Sequence, residues 1–112
     1  MPLPEIFTNI VSLRITWVEP EEESYSLYRM REGTLEPLDG ESGIRLEVFD
    51  DSGFDDEVEI VLLETPTGLQ MNFDYDDEPV RLPLHPYGRG ATVLYVHESP
   101  RHLVYLKIER GI

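Results

Sequence analysis

The chain has 112 residues with 23 acidic and 9 basic side chains, giving a net charge of −14. That length makes one domain, 1–112, and 40% apolar residues with ten Phe and Tyr plus Trp17 is a composition that folds around one core. The lack of cysteine excludes disulfides, thiolate catalysis and Cys-based zinc, and the charge argues against direct binding of nucleic acid phosphates or anionic membranes.

In chain order, Met1-Pro2-Leu3-Pro4-Glu5 lacks the cationic start of a secretory leader, which predicts a cytoplasmic location. No apolar run approaches the roughly 18–20 residues of a membrane-spanning helix. The recurring pattern is alternation, the period of a strand with one buried and one wet face. Val11, Leu13, Ile15 and Trp17 alternate with Ser12, Arg14 and Thr16, predicting a first strand over 6–18. In 24–31 the phase changes between Tyr25 and Leu27 on one parity and Tyr28 and Met30 on the other, which predicts a one-residue bulge. Residues 32–43, with Gly33, Pro37, Gly40 and Gly43, read as a long loop in which 34–38 has room for a short extra strand.

Ile44, Leu46 and Val48 give a third strand over 44–49. The more continuous apolar runs within 58–63, 92–96 and 103–106 predict central strands buried on both faces at one end, within strands over 57–65, 91–97 and 102–110. Leu69, Met71, Phe73 and Tyr75 give the strand over 68–75, joined to the one before it by the turn Thr65-Pro66-Thr67-Gly68. Pro79, Pro83, Pro86, Gly88 and Gly90 predict an irregular connection over 79–90 with at most a short edge strand at 80–84. About seven antiparallel strands and no helix predict an all-β fold: a single β-sandwich or a small barrel. The strand count resembles that of immunoglobulin-like and C2-like sandwiches. The predicted core includes Val11, Leu13, Ile15, Trp17, Leu46, Val48, Ile60, Leu62, Met71, Phe73, Val93 and Tyr95.

Strands that reverse at every turn put alternate connections at the same end of the domain. The first, third and fifth connections, around 19–23, 50–57 and 74–78, carry 13 of the 23 acids and no Lys or Arg. The turn at Glu98-Ser99-Pro100-Arg101 falls at the other end in this count. Two carboxylates about 6 Å apart repel by roughly 1–3 kcal/mol before screening, so an acidic pole opposes folding. Such a pole serves solubility, a cation or a basic partner.

Three chemistries fit these residues. The leading expectation is a non-enzymatic interaction protein that offers the pole to a basic protein partner, of an inhibitor or immunity type that mimics nucleic acid phosphates. Glu21, Glu22, Asp51, Asp55, Asp56, Asp76 and Asp77 would steer the encounter, with Phe54, Tyr75 and Tyr87 as aromatic anchors. The alternative is calcium, which wants about six to eight oxygens from flexible carboxylates. Asp50, Asp51, Asp55, Asp56, Asp74, Asp76 and Asp77 would supply them. The stretches 50–56 and 74–77 are locally similar to the calcium loops of C2 domains, although only two predicted strands separate them here. A third option, a transition metal held by His97, His102 and Glu98 around the last turn, has weaker support. No cofactor other than Ca²⁺ is implied. No nucleophile elbow or phosphate loop is present, which argues against an enzyme.

Overall fold

The computed structural model describes residues 7–40, 42–50, 57–75, 77–87 and 92–111. Among these are nine strands: β1 (Ile10–Glu19), β2 (Ser24–Met30), β3 (Glu36–Pro37), β4 (Gly43–Asp50), β5 (Glu57–Thr65), β6 (Gly68–Tyr75), β7 (Glu78–Tyr87), β8 (Thr92–Glu98) and β9 (Leu103–Arg110). All their pairings are antiparallel, in the order β2-β1-β9-β8-β7-β6-β5-β4. β2 then pairs back onto β4 through Tyr28↔Asp50, Arg29↔Phe49 and Met30↔Val48, closing an eight-stranded up-and-down barrel.

The all-β class and the small-barrel alternative agree with this fold, whereas the sandwich and its immunoglobulin-like or C2-like architecture do not. A sandwich needs two facing sheets, but here β9 pairs with β1 and β2 with β4, leaving one continuous wall. Alternation of period two is the same for either design, so the pattern alone does not choose between them.

The wall's inner face is the core. Leu13, Ile15, Ile44, Leu46, Val48, Ile60, Leu62, Leu69, Met71, Leu84, Val104, Leu106 and Ile108 are almost fully buried. Each contributes about 1.5–3 kcal/mol by leaving water. Phe7, in the turn before β1, is also buried and belongs to the same core. Val61, Leu63, Leu94, Val96, Leu103 and Tyr105 are only half-buried, because a single-walled barrel has nothing covering its outer face. The expectation of strands buried on both faces therefore fails.

Three local expectations also change. Val11 is 66% exposed rather than core, because the register slips between Ile10 and Ser12 and expels it as a bulge. β2 needs no bulge within it: Ser26, Tyr28 and Met30 are half-buried along one parity, and Tyr25 and Leu27 stand exposed on the other. The segment at 79–90 is largely the regular strand β7, despite its prolines.

β7 pairs with β6 along Glu78–Leu84 but with β8 only at His85, Pro86 and Tyr87. The carbonyl of Pro83 faces β8, where His97 Nδ1 lies 2.9 Å from it. In a strand the N and C=O of one residue point to the same side. Pro83, and Pro79 four residues earlier, thus turn their missing N–H toward a flank without ladder bonds, while Pro86 lies beyond the last β6 pair.

The closing seam is equally local. β2 and β3 act as one strand along β4, interrupted at residues 31–35. Beyond Met30↔Val48, Arg31 N–H donates to the Glu47 carbonyl at 2.8 Å, and pairing resumes at Glu36↔Arg45. Thr34 fills the interruption: its hydroxyl donates to the Arg31 carbonyl at 2.7 Å and accepts from the Glu47 N–H at 3.1 Å. Gly33 makes the excursion possible with φ +81°, a region that other residues enter at a cost. The short extra strand within 34–38 thus exists as β3. It leaves the alternation of ends unchanged, because β3 runs in the same direction as β2.

Candidate functional site

In an up-and-down barrel every second connection lies at one end. β1, β4, β6 and β8 finish, and β2, β5, β7 and β9 begin, at the same rim. Among the described residues this rim carries Glu19, Glu21, Glu22, Glu23, Asp50, Glu57, Asp74, Asp77, Glu78 and Glu98. The last of these is a correction. With β7 present as a full strand, the Glu98–Arg101 turn moves to the acidic end and brings Arg101 with it. Tyr87 moves the other way: it ends β7 at the opposite mouth, 73% exposed, and is no anchor for the rim.

Local backbone explains how the acids are displayed. After β1 the chain makes a three-residue 3-10 turn, Pro20–Glu22, stopped by Glu23 in the left-handed conformation at φ 51°. Pro20 presets the first position of that turn. The turn buries none of its residues, so its carboxylates stand in water. Between β6 and β7, Asp77 also takes a left-handed conformation, φ 63°, in the tight turn that joins Tyr75 to its partner Glu78.

Among the described residues of the rim, crowding is felt chemically at Glu22. The hydrogen bond that the protonated Glu22 carboxyl donates to Glu19, and next the Glu19 charge, push Glu22 above its ordinary value, with smaller contributions from desolvation and Glu21. Arg31 relieves part of this crowding by pairing with Glu57.

The floor of the rim is aromatic. Trp17 and Phe73, the last inward positions of β1 and β6 before their ends, meet edge to face with ring centroids 5.7 Å apart. His102, just before β9, lies against Trp17 with centroids 4.8 Å apart. Trp17 and Phe73 are recognisable in the sequence only as core positions. Their meeting across the barrel requires closure, which alternation does not reveal.

The structure therefore brings together Glu21, Glu22, Asp50, Asp74 and Asp77 of the expected site. Asp51, Phe54, Asp55, Asp56 and Asp76 lie outside the described residues, as does the side chain of Tyr75. For calcium, Asp50, Asp74 and Asp77 are the described candidates, and no group of three His, Asp or Glu among the described residues is placed to hold a metal ion. The histidine site around the last turn is not formed. His97 turns to the Pro83 carbonyl of β7 and His102 to Trp17 of β1, so they engage opposite flanks of the β8–β9 hairpin.

No family model, curated protein or solved structure matches this chain.

Proposed function

We propose that the chain is a non-catalytic interaction protein that offers its acidic rim to a basic protein partner. The observation that carries this reading is topological: strands β1, β4 and β6 all deliver acidic connections to one rim. The aromatic floor of Trp17, Phe73 and His102 supports it further, because a guanidinium or ammonium gains from a ring face as well as from carboxylates. Physiological salt screens over about 8 Å, so clustered carboxylates act at longer range than scattered ones. The mechanism is electrostatic steering into a fast encounter, followed by short-range docking.

The test is affinity capture from a cell extract on the immobilised protein, followed by association kinetics with the captured basic protein. Glu21→Gln, Glu22→Gln and Asp77→Asn together should lower the association rate at least tenfold while the fold, read by circular dichroism, is kept. An unchanged association rate contradicts the proposal. Adding Ca²⁺ or EDTA should leave binding and melting unchanged, and calcium-dependent stabilisation would favour a metal site over a protein partner.

A further inference from the structure

Where β2 parts from β1, the barrel wall is split. β1 pairs with β2 only from Arg14↔Arg29 to Glu19↔Ser24, because β2 leaves it to follow β4. On this flank, residues Val11–Leu13 of β1 have no strand partner among the described residues, although the other flank of Ser12 and Leu13 continues on β9. The gap is a groove of about 500 Å³. Its lining is apolar at Val11, Leu13, Met30 and Phe49, and Arg14, Arg29 and Arg31 stand along it with Glu32. A chain of net charge −14 with only nine Lys and Arg thus places three of them on one groove. Arg31 is held by Glu57, and Arg14 is exposed with no ion pair among the described residues.

We propose that this groove binds an extended acidic peptide segment of another protein by strand addition. The segment takes the place beside Val11–Leu13 that β2 vacates, and its backbone completes their ladder. A carboxylate of the segment faces Arg14, and its apolar residues lie on Leu13 and Met30. An open strand edge supplies affinity through main-chain hydrogen bonds, and alternate side chains supply selectivity. Arginine suits the task because its planar fork takes a carboxylate in two parallel hydrogen bonds. The charge complementarity is opposite to that of the rim, so one molecule can hold a basic partner at its end and an acidic segment on its side.

The probe is a fluorescein-labelled peptide of about seven residues alternating glutamate and valine, measured by anisotropy and by amide NMR. Binding should be saturable, shift the amides of Val11–Leu13 and raise their exchange protection. Arg14→Gln should weaken it at least fivefold with the native NMR fold retained. A backbone N-methylated version of the peptide should lose at least tenfold, since it cannot complete the ladder. The proposal is overturned by absent binding, by equal binding of the N-methylated peptide, or by shifts confined to the rim. Sedimentation showing that a second copy of this chain covers Val11–Leu13 overturns it as well.

Discussion

The acidic rim and the arginine groove are built by opposite means. The rim is a product of regularity: strands that reverse at every turn send alternate connections to one end, so acidic turns far apart in the chain become neighbours. The groove is a product of irregularity: one excursion at Gly33 and Thr34 lets β2 desert β1, and the wall opens. Regular architecture gathers charge by topology, and most of the rim's described carboxylates are exposed. The groove is floored by core side chains and held by specific hydrogen bonds at Thr34. Substitutions at the rim should thus change binding and leave stability almost untouched, whereas substitutions around the groove should change stability first.

The largest expected effect lies on the groove's floor. Leu13 is 1% exposed, and Leu13→Ala should lower unfolding stability by about 2–5 kcal/mol in urea titrations, the usual cost of truncating a buried leucine. The hinge of the split comes next. Thr34→Val keeps the shape but removes the hydroxyl that serves both Arg31 and Glu47, leaving an amide without its acceptor. A loss of about 1–3 kcal/mol is expected, and an unchanged midpoint would mean that the β2–β3 interruption needs no latch. The ion pair of Arg31 with Glu57 bridges the two regions but is about half exposed on both sides, with side-chain exposures of 53% and 41%. Glu57→Gln should therefore cost no more than about 1 kcal/mol.

The smallest stability effect should be at the rim, and of opposite sign. The carboxyl of Glu22 is held above its ordinary range in the folded chain, so the folded state binds its proton more tightly than the unfolded one. Its charge is then unfavourable to folding at neutral pH, and this unfavourable contribution fades as pH falls through the raised value and into the ordinary carboxylate range. Glu22→Gln should raise the melting temperature slightly at pH 7 and have no such benefit well below the ordinary carboxylate range. A variant that melts lower than the parent at pH 7 would show that Glu22 serves the fold.

The rim could be read before the groove because it depends on turn composition and on the parity of reversals. Missing β7 and missing β3's return along β4 did not disturb that parity for the connections around 19–23, 50–57 and 74–78. It did misplace the turn at Glu98, which follows the missed strand. β7 itself is hidden by composition: Pro79, Pro83 and Pro86 are tolerated because the neighbouring ladder is short, a property of β8 and the whole barrel rather than of residues 78–87. Val11 fits the alternation and is still expelled, because register with β9 is a two-strand property. Closure and the split share this character. Both depend on which strand β2 pairs with at each point along its length, and no periodicity within β2 encodes that choice.

The central claim is that closure gathers the acidic turns at one rim. Because the chain has no cysteine, spin labels on introduced cysteines report on chosen sites alone. Double labelling at Glu22 and Asp77, and in a second variant at Glu22 and Thr67 in the β5–β6 turn, measures one pair across the rim and one along the barrel. The account predicts the shorter electron–electron distance for Glu22 with Asp77. A shorter distance for Glu22 with Thr67 would place the acidic turns at opposite ends and contradict it.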